Sequence, residues 1–139
     1  MRVFSWNCRG LGRPRTVRAL VDAIREFRPQ VVCLIETKKK ASDWDCLKLK
    51  FGFRYCFAVD CKGKAGGLAV LWLEELDLTI RSYPIGHVDA DVRYGCYFRL
   101  TLFYGDLVAA KRRFSWELLR MLSTASNLPW IVLGDLMKY

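Results

Sequence analysis

The chain has 139 residues, of which 53% are hydrophobic and 14% aromatic, so one domain with an apolar core is expected and a disordered chain is not. No apolar run approaches the roughly 18 residues that a membrane span requires, and the N-terminus lacks a signal-peptide stretch. We therefore expect an intracellular protein with no membrane partner. A nuclear address is compatible with the sequence, because such signals need only a short basic cluster.

The charge is strongly positive, with 23 Lys and Arg residues against 14 acidic residues and a formal net charge of +9. An excess of this size favours an anionic partner, and nucleic acid is the first such partner to consider. The solvated faces of a basic domain would look much the same, so the charge alone leaves both interpretations open. The basic residues that stand out are Arg9, Arg13, Arg15, Arg18, residues 38–40 and residues 111–113.

The six cysteines form no C-x-x-C pair, and His87 is the single histidine. A zinc site is therefore poorly supported. A disulfide framework is not expected without a secretory signal. Cys33 lies in an apolar run, which predicts a small buried core residue.

The first part of the chain predicts a strand, a helix and a second strand. Residues 2–6 are β-prone, residues 7–14 form a loop rich in Gly and Arg, and apolar residues then recur at helical spacing until Pro29. Residues 31–35 fit a buried strand. If the two strands are parallel and joined by a right-handed crossover, Asn7 and Glu36 lie at neighbouring strand ends, where functional residues gather.

The remainder predicts a helix, several strands, a second long helix and a last strand. Antiparallel structure dominates the middle, including a hairpin whose Gly-rich turn covers residues 62–67. This order favours an α+β fold with two packed sheets and outer helices. The predicted helices cover residues 41–51 and 109–123, and the predicted strands cover residues 53–59, 68–72, 78–83, 87–92, 97–104 and 130–133.

Five short segments occur in an order that is typical of one family. The segments are residues 5–12 (SWNCRGLG), 34–37 (LIET), 66–72 (GGLAVLW), 103–105 (FYG) and 130–135 (WIVLGD). With these segments the chain resembles the endonuclease/exonuclease/phosphatase family, and most of all the endonuclease domain of plant LINE-type (non-LTR) retrotransposons. The resemblance covers residues 1–139 but only the N-terminal portion of one family domain.

The resemblance implies a fold and a set of functional residues. The fold is α+β, a partial four-layer α/β/β/α sandwich of two mostly antiparallel sheets that is truncated at the C-terminus. Asn7 and Glu36 match the residues that bind the divalent cofactor, Mg²⁺ or Mn²⁺. Oxygen ligands of this kind suit Mg²⁺. Tyr104 matches the tyrosine beside the scissile phosphate, and Asp135 matches the aspartate that orients or deprotonates water.

Each of these residues also has an ordinary structural interpretation. Asn7 could be a turn residue, and Glu36 could be a charge near the start of the next helix. Tyr104 could be a strand-end aromatic, and Asp135 could lie in a turn. His87 is read as a strand residue and not as a catalytic histidine.

The sequence departs from the family pattern after Asp135. Met137 stands where the family has an asparagine, and a thioether cannot donate the amide hydrogen bond. The later aspartate and the Asp-His pair of the family are absent, so we expect weak or no activity from a DNA endonuclease-like fragment. A sheet face left uncovered by the truncation could support self-association. The alternative is a non-catalytic, basic nucleic-acid-binding remnant, and an inositol-phosphate or lipid phosphodiesterase is less favoured.

Overall fold

Two four-stranded sheets face each other in the computed structural model, which describes residues 1–63, 65–83, 86–104 and 117–135. The strand order is β1-β2-β4-β3 in the first sheet and β5-β6-β7-β8 in the second. Each sheet is mixed, with one parallel pair among antiparallel neighbours. The α+β sandwich with outer helices that the sequence predicts is confirmed.

The first sheet begins with a parallel unit made of β1 (Val3–Asn7), α1 (Pro14–Phe27) and β2 (Val31–Ile35). Proline suits the first helical position of α1, because an N–H at that position would have no partner within the helix and proline has none to leave unpaired. All five residues of β2 are buried, which agrees with its continuous apolar sequence. The predicted strand–helix–strand opening is thus confirmed.

A short helical region and a long hairpin complete the first sheet. The 3-10 turn Ala41–Asp43 leads into α2 (Trp44–Lys50), and the hairpin consists of β3 (Tyr55–Lys62) and β4 (Ala65–Trp72). β4 extends further toward the turn than predicted, and it includes Gly66 and Gly67. Their φ angles of 77° and 93° are accessible to glycine without strain. The backbone can therefore adopt these angles while β4 stays paired with β3.

The second sheet consists of β5 (Asp77–Ser82), β6 (His87–Tyr94), β7 (Cys96–Tyr104) and β8 (Trp130–Asp135). β7 and β8 are parallel, and residues 117–123 between them are helical. The predicted helix 109–123 agrees with this over 117–123, and its earlier residues lie outside the described part of the chain. Among the described helices, none has the length and apolar character needed to cross a membrane.

Two apolar clusters hold the layers together. One lies between the sheets and joins Cys33 and Val70 of the first sheet to Val88 and Leu100 of the second. The other packs the outer face of the first sheet against the helices. Cys33 is fully buried, as predicted.

A buried charged network lies on the outer face of the second sheet. Arg99 pairs with Asp89 at 2.8 Å, and Thr101 donates a hydrogen bond to the same carboxylate at 2.8 Å. Arg99 also donates to the carbonyl of Leu122, at the end of the helical residues 117–123. Its guanidinium lies 4.9 Å from the ring centroid of Trp130. The network therefore ties this helix and β8 to the centre of the sheet.

Candidate active site

The four residues singled out in the sequence lie at the carboxyl ends of four strands. Asn7 ends β1, Glu36 directly follows β2, Tyr104 ends β7 and Asp135 ends β8. In the parallel ladders Asn7 is in register with Ile35, and Tyr104 is in register with Asp135. Since β1 lies beside β8 across the sandwich, these strand ends meet at one edge of the molecule.

A direct hydrogen bond connects the two sheets at this edge. The Tyr104 hydroxyl donates to Oε1 of Glu36 at 2.5 Å, and both side chains are half-buried. Glu36 contacts a residue of the opposite sheet, and the next helical turn begins only at Ala41. Glu36 therefore does not lie at the start of the next helix, as its ordinary structural interpretation had suggested.

The loops after β1 and β2 continue the parallel ladder beyond the strands. Cys8 donates its backbone N–H to the carbonyl of Ile35 at 2.9 Å, and Gly10 donates to the carbonyl of Glu36 at 2.7 Å. Leu11 donates to the carbonyl of Thr37 at 3.0 Å. These bonds fix the backbone that follows Asn7 against the backbone that carries Glu36.

The backbone at Glu36 has a left-handed conformation, with φ of 52°. Such a conformation is uncommon outside glycine and persists where the surroundings enforce it. Here the next residue, Thr37, is fully buried and donates its N–H to the carbonyl of Gly67 at 3.2 Å. A Cβ atom on Gly67 would lie 2.4 Å from Oγ1 of Thr37. Only glycine at position 67 lets β4 approach the Glu36 segment this closely.

Asn7 makes the turn interaction that its structural interpretation predicted. Its Oδ1 accepts the backbone N–H of Arg9 at 3.1 Å, a side-chain-to-backbone bond over two residues. Arg9 itself has a left-handed φ of 51°. Asn7 therefore shapes the loop that follows β1, and β1 ends at the same edge as the strand that precedes Glu36.

The thiol of Cys8, next to Asn7, is buried and neutral at physiological pH. Burial raises the pKa of Cys8 to about 12, and the negative charge of Glu36 contributes to this rise. A neutral thiol is a weak nucleophile and a weak metal ligand. Burial thus favours the neutral thiol, whereas Asn7 and Glu36 offer oxygen atoms at the same edge.

The oxygen groups present fit a hard divalent cation. Mg²⁺ prefers oxygen ligands and is bound by one or two protein groups together with water and substrate phosphate. The amide oxygen of Asn7 and the carboxylate of Glu36 are donors of this kind. No group of three or more His, Cys, Asp or Glu side chains lies together within the described residues.

A cavity of about 490 Å³ opens beside Asn7, between the end of β1 and the first turns of α1. It is lined by Trp6, Asn7, Cys8, Arg9, Arg15, Thr16 and Ala19.

The other residues considered in the sequence lie elsewhere. His87 is the first residue of β6, as predicted, and its Nε2 shares a hydrogen bond of 3.0 Å with the hydroxyl of Ser82. Met137 is outside the described residues. The sequence interpretation missed the support that Thr37 and Gly67 give to Glu36, although the Gly66-Gly67 doublet was a signal for a close backbone approach.

The comparisons with known proteins agree with this arrangement of strands and loops. The family model described as the Endonuclease/Exonuclease/phosphatase family matches residues 4–136. The chain belongs to this family. No curated protein matches the chain.

Solved structures share the fold at low sequence identity. D. rerio TDP2 in complex with a single-strand DNA product has 19% identity and a TM-score of 0.73, over 100% of this chain and 62% of that one. The human Nocturnin catalytic domain with bound sulfate has 17% identity and a TM-score of 0.71, over 100% and 64%. The endonuclease domain of TRAS1, a telomere-specific non-LTR retrotransposon, has 14% identity and a TM-score of 0.64, over 99% and 60%. The chain thus spans about three-fifths of the length of these structures.

Proposed function

We propose that residues 1–139 are the N-terminal portion of a divalent-metal-dependent phosphodiester hydrolase domain that acts on DNA. The observation that carries the proposal is the hydrogen bond between Tyr104 and Glu36, which brings a phenol and a carboxylate from different sheets to the strand end that carries Asn7. Membership of the family and the fold shared with a DNA-bound relative support it.

Each residue has a proposed role that the family resemblance implies and that its chemistry suits. Asn7 and Glu36 would hold Mg²⁺ or Mn²⁺ through their oxygen atoms. When bound, this ion supplies positive charge that stabilises the phosphate oxygens. Tyr104 would turn its hydroxyl from Glu36 to donate its one hydrogen bond to a phosphate oxygen when the substrate is bound, and Asp135 would orient or deprotonate the attacking water.

The proposed origin is a retrotransposon endonuclease of the plant LINE type. The W-N-C-R-G-L-G stretch of the β1 loop motivates this origin, and the fold shared with the TRAS1 endonuclease domain is compatible with it. Because the chain spans about three-fifths of the related structures, we expect weak or no cleavage from residues 1–139 alone.

A plasmid-nicking assay in Mg²⁺ and in Mn²⁺ tests the proposal, together with Mn²⁺ binding measured by electron paramagnetic resonance. We expect saturable Mn²⁺ binding that Glu36→Gln weakens strongly, with little or no nicking. Matched controls are Glu74→Gln and Glu75→Gln, which remove acids from the connection between β4 and β5. Mn²⁺ binding that is equal in Glu36→Gln and in the controls would overturn the proposed metal site.

The alternative function is metal-independent nucleic-acid binding, which the formal net charge of +9 favours. It predicts salt-sensitive DNA binding in EDTA, with no Mn²⁺ site and no nicking. The two functions therefore differ in the metal measurement and not in DNA binding itself.

Self-association, an intracellular location and a nuclear address stay predictions. β1 and β8 are the outermost strands on the same side of the two sheets, and edge strands can pair with a second copy. Light scattering coupled to size-exclusion chromatography tests this, because a monomer at all concentrations would contradict pairing through these edges.

A further inference from the structure

The cavity beside Asn7 is lined by groups that attract an anion. Arg9 and Arg15 contribute two cations, and Thr16 and Asn7 contribute polar side chains. Within the described part of the chain, none of the residues that line it is acidic. A guanidinium presents several N–H donors in a planar fork that matches the oxygens of a phosphate.

The cavity also has an apolar wall and a suitable size. Trp6 is half-buried at the end of β1, and Ala19 lines the side formed by α1. The volume of about 490 Å³ lies in the range of small-molecule sites, which is roughly 300–1,000 Å³. An indole beside a basic group is a common surface for the sugar and base of a single strand.

The loop that carries Arg9 is held in place by local contacts. Its backbone N–H bonds to Asn7, and its φ of 51° is a strained conformation of the kind that gathers at functional sites. Gly10, with φ of 99°, lies under the side chain of Lys38, so that a Cβ at this position would approach Cδ of Lys38 to 3.1 Å. The backbone that carries Arg9 is therefore held by hydrogen bonds to Asn7 and, through Gly10, to Glu36.

Asn7 belongs both to this cavity and to the strand end that carries Glu36. Asn7 is thus a residue that the cavity shares with the proposed metal site. We propose that the cavity binds a backbone phosphate of a single DNA strand, held by Arg9 and Arg15, beside the phosphodiester at Asn7 and Glu36. The position of the phosphodiester at Asn7 and Glu36 rests on the proposed function, but binding of the phosphate in the cavity requires no metal.

The test compares Arg9→Ala and Arg15→Ala with Arg25→Ala, which removes one positive charge from the last turn of the same helix and does not line the cavity. The probe is a fluorescent single-stranded oligonucleotide in EDTA, titrated at several NaCl concentrations. We expect each cavity variant to weaken binding at least about fivefold at low salt and to reduce the salt slope by about 0.7, the value for one phosphate contact on a single strand. Arg25→Ala should change the affinity by less than about twofold and leave the slope nearly unchanged.

Equal losses in all three variants would overturn the proposal, because diffuse charge would then explain the binding. No loss in the cavity variants would overturn it as well. Circular dichroism melting of each variant shows that it folds. Two measurements separate the two proposals. Oligonucleotide binding in EDTA that persists in Glu36→Gln would support the cavity, because that binding needs no metal. Absence of a Mn²⁺ site in the parent chain would reject the metal-dependent function and leave the cavity proposal standing.

Discussion

The Tyr104 hydroxyl donates to the Glu36 carboxylate at 2.5 Å and so joins the ends of β7 and β2 over 68 positions of sequence. The two residues belong to different sheets, and neither strand pairs with the other. The contact joins the two sheets at the edge where the proposed metal ligands lie.

Removal of the Tyr104 hydroxyl should lower the stability of the fold more than it lowers the affinity for metal. We expect Tyr104→Phe to lower the free energy of unfolding by about 1–2 kcal/mol, because a hydrogen bond to a charged group is lost. Glu36→Gln should instead lower Mn²⁺ affinity by at least about tenfold, because it removes an anionic ligand. Urea unfolding and Mn²⁺ titration measure the two effects. A larger metal defect in Tyr104→Phe than in Glu36→Gln would contradict the assignment of Glu36 as the ligand.

Gly67→Ala should be markedly more destabilising than Gly66→Ala. Both glycines have positive φ, but a Cβ on Gly67 meets Oγ1 of Thr37 at 2.4 Å, and a Cβ on Gly66 meets nothing within 4 Å. Strain alone costs about 1–2 kcal/mol at either position. The clash with a buried residue should add about 1–3 kcal/mol at Gly67. Urea denaturation of both variants measures the difference, and equal losses would show that Thr37 moves aside without cost.

The buried ion pair between Asp89 and Arg99 should contribute far more to the free energy of unfolding than the exposed pair between Arg54 and Glu74. Asp89→Asn leaves a buried guanidinium without its counter-charge, and we expect a loss of about 3–5 kcal/mol in the free energy of unfolding. Glu74→Gln should cost under about 1 kcal/mol, since both side chains of that pair are mostly exposed. Chemical denaturation gives both values. A small effect at Asp89 would mean that Arg99 finds other partners.

Alkaline pH should destabilise the protein through its buried thiols. Burial raises the pKa of Cys33 from 9.0 to about 12, so the unfolded chain releases this proton at lower pH than the folded chain. The stabilising contribution is therefore complete below pH 9.0 and is lost as the pH rises toward about 12. Urea midpoints measured as the pH is raised should fall less steeply in Cys33→Ala than in the parent chain. Cys46→Ala, at an exposed position, is the matched control and should keep the parent slope.

Much of the fold follows from local patterns. The helical spacing before Pro29 predicted α1, and the continuous apolar run predicted β2, because both patterns reflect which faces become buried. The Gly-rich turn was placed too broadly, since Gly66 and Gly67 mark a close approach inside β4 and not a loop. Composition cannot distinguish these two uses of glycine.

By itself, the sequence determined the element types, the family motifs and the placement of Asn7 and Glu36 at the ends of neighbouring strands. The periodicity of buried residues is a local property, and a parallel unit brings such ends together wherever it forms. Only the tertiary structure decided that Tyr104 reaches Glu36, that Thr37 packs on Gly67 and that Arg9 and Arg15 share a cavity. These contacts depend on how the sheets and loops pack against each other, and residues far apart in sequence carry no local signal of that packing.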